Sequence, residues 1–130
     1  MSDQTPTPAL SVVSRLVELC QQGQFGDAAQ ELYSPNIVSI EGPGGDPNMQ
    51  RLEGLEAVAN KGAWWEENHE VHSAAIAGPF CGHRDDQFVV QFDMDVTFKP
   101  SGERTQMSEV GIYTVADGKV VQEEFLYKMG

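Results

Sequence analysis

The sequence predicts an α+β fold in which a cone-shaped, curved antiparallel sheet wraps around three N-terminal helices. Two observations carry this prediction. Helical patterns cluster in the first half of the chain, and strand patterns joined by tight turns fill the second half. Helices grouped ahead of a strand meander are typical of α+β proteins and not of parallel sheets. A curved sheet around helices leaves a cone whose mouth is a natural pocket.

The first two helices follow a short polar segment. We expect residues 1–9 to be a disordered tail and residues 10–130 to form a single domain, since 130 residues leave no room for a second core. Thr7 and Pro8 fit the N-cap and the first position of a helix that Gly23 ends. Its apolar stripe is Leu10, Val13, Leu16, Val17 and Cys20. A second helix is predicted over 25–33, because proline disfavours helix at the preceding Ser34.

A strand and a third helix come next. Residues 36–41 read as a strand, followed by a loop rich in glycine and proline over 42–48. The third helix is predicted from Glu53-Gly54 to Asn68, with Trp65 flanking its inner face and Trp64 pointing away. The residues assigned to that inner face are Leu55, Val58, Ala59 and Gly62.

Four strands complete the chain. The first is predicted over 69–77 and ends at Gly78-Pro79; three longer strands follow between Gln87 and Tyr127, with turns at 99–102 and 116–118. Period-2 alternation assigns one register of the three long strands to the covered face of the sheet. That register contains Phe88, Val90, Phe92, Met94, Val96, Phe98, Met107, Glu109, Gly111, Tyr113, Val115, Val121, Glu123, Phe125 and Tyr127.

Two carboxylates in this inward register predict a polar pocket inside the cone. Glu109 and Glu123 would be costly there unless they are hydrogen-bonded, paired or in contact with water. If the two lie close together, one carboxyl should be protonated, because like charges disfavour joint ionisation. The alternative is that the register is wrong by one residue, or that a bulge turns both side chains outward.

Further residues complete the predicted site. Glu41 is either a general base at the pocket mouth or a solvated acid at a strand end, and His72 is either an acid/base partner or a structural histidine. Tyr113 and Tyr127 could hydrogen-bond a substrate oxygen or belong to the core. The predicted substrate-binding residues are Trp65, Phe88, Val90, Phe92, Met94 and Tyr127.

Composition excludes several classes of function. A formal charge of −12 with only 8 lysines and arginines argues against nucleic acid and anionic membranes as partners. No run approaches the roughly 18 apolar residues of a membrane span, and residues 1–9 do not resemble a signal peptide. Cys20 and Cys81 lack motif spacing, which favours free thiols and a cytoplasmic location over a disulfide. No motif indicates a metal site or a cofactor.

The element order and three local segments resemble the SnoaL-like members of the nuclear transport factor 2-like superfamily. The segments are QQGQFGDAAQELYSPNIVSIE, RLEGLEAV and EVGIYTVADGKVVQEEFLY, and the resemblance covers residues 10–128. It implies the cone fold, but the superfamily holds enzymes of several kinds and non-catalytic modules. By position, the acids of ketosteroid isomerase fall at Glu41 and near Glu109, and its pocket aromatic falls at Tyr127. Its oxyanion tyrosine falls at Leu16, which disfavours that reaction.

We therefore expect a small cofactor-independent lyase, isomerase or cyclase that acts on a hydrophobic carbonyl compound. Glu41 or His72 would be the base, and Glu109, Tyr113 or Glu123 would hold the substrate. The alternative is a non-catalytic module for ligand binding or dimerisation. A homodimer through the outer sheet face is expected, because four residues predicted to point outward are apolar: Val110, Ile112, Val120 and Leu126.

Overall fold

Three helices cover one face of a six-stranded sheet in the structure, a computed structural model that describes residues 8–41, 48 and 50–127. In chain order the elements are α1 Pro8–Gln21, α2 Phe25–Leu32, β1 Tyr33–Ile40, β2 Arg51–Glu53, α3 Leu55–Asn68, β3 His69–Cys81, β4 Gln87–Phe98, β5 Glu103–Ala116 and β6 Lys119–Tyr127. The predicted α+β class, with three N-terminal helices on a curved sheet, is confirmed. In the described part of the chain, no helix is both long and apolar enough to cross a bilayer.

The sheet is mixed, where the sequence predicted antiparallel pairing. Its strand order is β2-β1-β6-β5-β4-β3, and β1 runs parallel to β6 while every other neighbouring pair is antiparallel. β2 was not predicted, because a three-residue strand is too short to show an alternating pattern. The parallel pair matters for the site, since it places β1 directly beside β6.

The first helix begins at Pro8, as predicted, whereas the first strand begins earlier than predicted. Because α1 starts at Pro8, the last two residues of the predicted tail are helical, and the rest of that tail lies outside the described residues. The predicted 42–48 loop also lies outside them, except for Asn48. β1 starts at Tyr33 and passes through Ser34-Pro35, because a residue before proline favours extended backbone as much as it disfavours helix.

β3 does not stop at the predicted Gly78-Pro79 turn but continues to Cys81. Its pairing with β4 shifts there, since Ala77 pairs with Gln91 while Phe80 pairs with Val89. Gly78 has a φ of +126°, and a Cβ at this position would lie 2.9 Å from the Val89 carbonyl oxygen. The glycine and proline therefore form an irregularity within a strand.

A β-bulge changes the predicted inward register at the start of β6. Thr114 pairs with Gln122, but Val115 pairs with Val120, so Val121 is the extra residue. Val120 is consequently buried, although the sequence assigned it to the outer face. Beyond the bulge the predicted register holds, because Glu123 pairs with Tyr113 and Tyr127 with Glu109.

The core lies between the helices and the inner face of the sheet. α1 packs across β3, β4 and β5 and contributes its predicted apolar stripe. Phe88, Val90, Phe92 and Met94 of β4 are all buried in this cluster. On α3, Val58 is buried as predicted. Gly62, which was also assigned to the inner face, is exposed.

Candidate functional site

Strand pairing places both predicted acids on the inner face of the sheet. Glu109 on β5 pairs with Phe92 of β4 and with Tyr127 of β6. Glu123 on β6 pairs with Tyr113 and, across the parallel junction, with Ser39 of β1. Because paired residues share a face of the sheet, both carboxylates point toward the helices together with these partners.

Glu123 forms the buried end of a hydrogen-bonded cluster, whose other members are Tyr33, Ser39, Lys61 and Glu41. Only 4% of the residue is exposed, and its two carboxylate oxygens accept hydrogen bonds from the Tyr33 hydroxyl and, at 2.6 Å, from the Ser39 hydroxyl. Burial raises the pKa of Glu123, while the nearby Lys61 ammonium and the two hydroxyl donors oppose the rise. Burial of the Cys20 thiol, together with the Glu123 charge, raises the pKa of that thiol to about 12.

Lys61 connects the carboxylates of Glu41 and Glu123, and it is absent from the predicted site. Its Nζ donates hydrogen bonds to Ser39 Oγ at 2.6 Å and to Glu41 Oε1 at 2.9 Å, and lies 3.8 Å from Glu123 Oε2. The signal was present in the helical spacing of Val58, Lys61 and Trp65, which puts all three on one face of α3. The prediction assigned the inner face to Leu55, Val58, Ala59 and Gly62, with Trp65 beside it, and did not include Lys61.

Glu41 stands at the more open end of the cluster, where the sequence predicted a pocket mouth. It follows β1 directly, and its backbone N–H donates to the Gln50 carbonyl oxygen at 2.8 Å. About a quarter of its side chain (26%) is exposed, against 5% for that of Glu123. The Lys61 salt bridge therefore links a carboxylate that solvent reaches with one that it does not.

Glu109 is the acid whose protonation changes near neutral pH. Burial raises its pKa to about 7, the Glu41 and Glu123 charges add to the rise, and the Lys61 ammonium opposes it. Glu109 also lines a shallow depression of about 240 Å³ together with Ser108, Val110, Leu126 and Tyr127. This acid is therefore desolvated but close to the surface.

Two buried tyrosines remain neutral hydrogen-bonding groups beside the acids. Burial and the Glu123 charge raise the pKa of both Tyr33 and Tyr113 well above the ordinary value. Tyr113 covers Gly111, where a Cβ would lie 2.8 Å from its ring, and meets the Phe125 ring edge-on. Burial, Glu41 and Glu109 also raise the pKa of Tyr127.

His72 does not join this cluster, contrary to the prediction. The pairing of β3 with β4 shifts between Val71 and Ser73, which turns His72 toward the outer face. There its Nε2 lies 2.7 Å from the Thr97 hydroxyl and 3.9 Å from Glu70. The sequence-based assignment failed because one irregular residue reverses the parity of a strand.

Side chains predicted to bind the substrate lie around the cluster, but they pack against other side chains of the protein. Trp65 stacks on the His69 ring at a centroid distance of 4.2 Å, one helical turn beyond Lys61. The Phe92 ring lies 6.4 Å from that of Phe125, over which Lys61 Nζ stands at 5.5 Å. Among the described residues, no group of three or more histidine, cysteine, aspartate or glutamate side chains could hold a metal ion.

The arrangement supports proton transfer between two carboxyl groups. Glu41 is a salt-bridged carboxylate open to solvent, and Glu109 is a carboxyl group with a pKa of about 7. A carboxylate and a protonated carboxyl can act as base and acid on one substrate. Lys61 connects Glu41 to the buried Ser39 and Glu123, and Glu123 in turn accepts a hydrogen bond from Tyr33.

Comparison with known proteins gives one family and a set of similar structures. The family model described as a SnoaL-like domain matches residues 8–127. A crystal structure from Mesorhizobium loti, named as a candidate SnoaL-like polyketide cyclase with carbohydrate phosphatase in brackets, is 41% identical. That match covers 90% of this chain and 97% of the other, with a TM-score of 0.83. No curated protein matches the chain.

More distant structures share the fold alone. A candidate SnoaL-like polyketide cyclase from Jannaschia sp. CCS1 is 23% identical over 97% of this chain and 90% of the other, with a TM-score of 0.72. A computationally designed 17-OHP binder is 20% identical over 96% of this chain and 94% of the other, with a TM-score of 0.66. The same architecture thus carries proteins named as cyclases and a designed small-molecule binder.

Proposed function

The chain belongs to the SnoaL-like domain family, and within that family we propose that it is a small cofactor-independent isomerase, cyclase or lyase. The proposed substrate is a hydrophobic carbonyl compound. One observation carries the proposal: Glu109, whose pKa is raised to about 7, stands near Glu41, which Lys61 holds at 2.9 Å. A raised pKa caused by burial beside specific charged partners is characteristic of functional acids.

The proposed first step is enolisation of the substrate. The Glu41 carboxylate takes a proton from the carbon next to the carbonyl, and the electron pair of that C–H bond forms a carbon–carbon double bond. The carbonyl π electrons move to oxygen, which takes a proton from protonated Glu109. In an isomerisation, Glu41 returns its proton to another carbon of the conjugated enol while the enol O–H returns its proton to Glu109 and the carbonyl re-forms. In a cyclisation, the enol carbon attacks a second carbonyl, whose oxygen takes the Glu41 proton, while the enol O–H again returns its proton to Glu109.

Glu109 suits the acid role because of its raised pKa. A pKa of about 7 keeps a substantial fraction of the carboxyl protonated near neutral pH, while its proton remains acidic enough to transfer. An ordinary glutamate would be almost fully ionised at this pH and could not donate.

Glu123 and Tyr113 enter the proposal as positioning residues. Both are almost completely buried, and Glu123 is already bonded to Tyr33 and Ser39. From this position Glu123 attracts the Lys61 ammonium, which in turn orients Glu41. Trp65, Phe92 and Tyr127 remain proposed as the apolar surroundings of the substrate.

The enolisation step is testable without knowing the substrate. We expect the protein to accelerate deuterium incorporation from D2O next to the carbonyl of 2-acetylnaphthalene, followed by proton NMR. Glu41→Gln and Glu109→Gln should each slow the exchange by roughly 100-fold or more, while Glu66→Gln, on the exposed side of α3, should not. Exchange that both site variants leave unchanged would contradict the proposal.

A non-catalytic ligand-binding module is the second candidate. It is favoured by the complete hydrogen bonding of Glu123 and by the similarity to a designed 17-OHP binder. A thermal-shift screen of small carbonyl compounds, repeated on Glu41→Gln, separates the two functions. A ligand that stabilises the protein without being converted, equally in both forms, supports the binding module.

We also propose that the chain forms a homodimer through its outer sheet face and resides in the cytoplasm. Phe80 and Leu126 are half exposed on that face, beside Val110 and Ile112. Apolar side chains grouped on one sheet face favour a covering partner, and a second copy is the partner that the family resemblance implies. The unpaired thiols of Cys20 and Cys81 support a reducing compartment.

A further inference from the structure

The charge balance of the site bears on which ligands can enter it. The Glu41 and Glu123 carboxylates lie 2.9 Å and 3.8 Å from the Lys61 ammonium, and the charge of Glu109 also interacts with that ammonium. The two hydrogen bonds of Lys61 go to oxygens of this chain, those of Ser39 and Glu41. An anion that bound the third N–H of the ammonium would therefore lie beside the Glu41 and Glu123 carboxylates.

Within residues 8–41, 48 and 50–127, the lysine and arginine side chains other than Lys61 are paired elsewhere or, for Lys99, lie in an exposed turn. Each of the four arginines is paired with an acid elsewhere: Arg15 with Glu18, Arg51 with Glu53, Arg84 with Asp86 and Arg104 with Asp95. Lys119 donates to the Glu31 carbonyl oxygen. Among the described residues, Lys61 is thus the one cation hydrogen-bonded within the cluster.

We propose that the site selects ligands whose hydrogen-bonding group is uncharged, and that Glu109 is the residue that excludes carboxylates and phosphate esters. This inference rests on the proposed function, because it names the class of carbonyl compound that the same site accepts. Glu109 lies on the inner face of β5, paired with Phe92 and Tyr127, and is faced by Glu41 just after β1, Lys61 from α3, and Glu123 and Tyr127 from β6. An anion there meets more carboxylates than cations, whereas a neutral carbonyl oxygen accepts a hydrogen bond from protonated Glu109.

Selection of this kind depends on pH in a defined direction. The pKa of Glu109 is about 7, so the side chain becomes increasingly negative as pH rises through neutrality. Exclusion of anions should therefore be strong at pH 8 and weaker at pH 5.5. Neutral ligands should show the opposite trend, because they lose the Glu109 proton as a hydrogen-bond donor when pH rises.

A matched pair of probes tests the inference. 2-Acetylnaphthalene and 2-naphthoate have similar size and shape, but only the second carries a negative charge between pH 5.5 and 8. Their dissociation constants are measured by calorimetry for the wild type and for Glu109→Gln at both pH values. Glu103→Gln is the control, since it removes the same charge from an exposed position at the start of β5.

We expect the wild type at pH 8 to bind 2-naphthoate about tenfold or more weakly than 2-acetylnaphthalene. The ratio should shrink at pH 5.5 and in Glu109→Gln, and persist in Glu103→Gln. Equal binding of both probes by the wild type at pH 8 overturns the inference and leaves the proposed function standing. Failure of both probes to bind at either pH contradicts the proposed function, and the inference falls with it.

Discussion

Lys61 is the residue on which the charges of the site depend. Its ammonium lies 2.9 Å from a Glu41 oxygen and 3.8 Å from a Glu123 oxygen, with 14% of its side chain exposed. Removing it would leave three carboxylates near one another with no cation among them. Breaking a buried ion pair in this way strands a charge that water cannot fully solvate.

Lys61→Met should therefore destabilise the protein by about 3 kcal/mol at pH 8 and by less at pH 5, where the carboxyls can be protonated. Because Lys61 now holds the Glu109 pKa down, the same change should move that pKa above about 7. Urea unfolding at the two pH values measures the first effect. Lys99→Met, which removes an equal charge in an exposed turn, should show neither effect. A loss of stability independent of pH would argue that Lys61 acts only through packing.

Glu109→Gln should stabilise the protein at high pH. The folded state holds the Glu109 pKa at about 7 against an ordinary value of 4.5, so between these values the folded chain binds more protons than the unfolded chain. Stability therefore falls as pH rises through this window, and the full penalty, up to about 3 kcal/mol, is present above pH 7. Glu109→Gln should recover it at pH 8 and have little effect at pH 4. Urea unfolding that shows no gain at pH 8 would contradict a desolvated carboxyl.

Side-chain identity and strand parity together predicted which strand residues of the candidate site face inward. Glu109, Glu123 and Tyr113 were predicted to face inward because their apolar neighbours on β5 and β6 must be covered, and the structure places them there. Lys61 was missed because a lysine is ordinarily assigned to a solvated helix face. His72 was misplaced because no sequence pattern marked the irregularity between Val71 and Ser73.

At the scale of elements, β5 carries the close contact that sets the shape of the site. Gly111 lies under the Tyr113 and Phe125 rings, and a Cβ there would stand 2.8 Å from Tyr113 and 3.1 Å from Phe125. Tyr113 is buried beside Glu123 and the core, so it cannot move aside freely. The glycine thus lets an aromatic side chain lie flat across its own strand.

Gly111→Ala should destabilise the protein by about 1–3 kcal/mol because it overpacks this contact. Gly62→Ala is the matched control, since nothing lies within 4 Å of its would-be Cβ on the exposed side of α3. Alanine there should be neutral or stabilise by up to about 1 kcal/mol. Thermal unfolding of both variants checks the contrast, and equal behaviour would contradict the packing of Tyr113 over Gly111.

Helices and long strands were predictable because each has enough residues to show a period. Three features of the sheet have no periodic pattern in the sequence and were not predicted: the three-residue β2, the bulge at Val121 and the continuation of β3 through Gly78-Pro79. The parallel pairing of β1 with β6 also escaped prediction, since strand direction depends on tertiary contacts and not on local pattern. This pairing is what brings Ser39 next to Glu123.

At the scale of the whole molecule, the outer sheet face has a polar part and an apolar part. Asp95 pairs with Arg104 and Asp93 accepts a hydrogen bond from Ser108 at one part of the face. Phe80, Ile112 and Leu126 mark the apolar part. A dimer formed here would cover these apolar side chains, together with the depression that Val110 and Leu126 line.

Leu126→Glu should convert the proposed dimer into a monomer, because it adds a charge to the apolar part of the interface. Trp64→Glu is the control, since Trp64 is equally exposed (47%, against 46% for Leu126) but lies on α3. Light scattering at micromolar concentration should give twice 14.2 kDa for the wild type and the control. A wild-type mass of 14.2 kDa would refute the dimer.

The acid/base proposal depends most directly on the protonation of Glu109 in the folded wild-type chain. Carbon-13 NMR of the glutamate side-chain carboxyls, with the Glu109 resonance assigned by its absence in Glu109→Gln, measures the pKa of this group. We expect a midpoint of about 7, moved upward by the burial of Glu109 and the nearby Glu41 charge. A Glu109 midpoint near the ordinary value of 4.5 would mean a solvated carboxylate with no proton to donate at neutral pH, and would contradict the proposed chemistry.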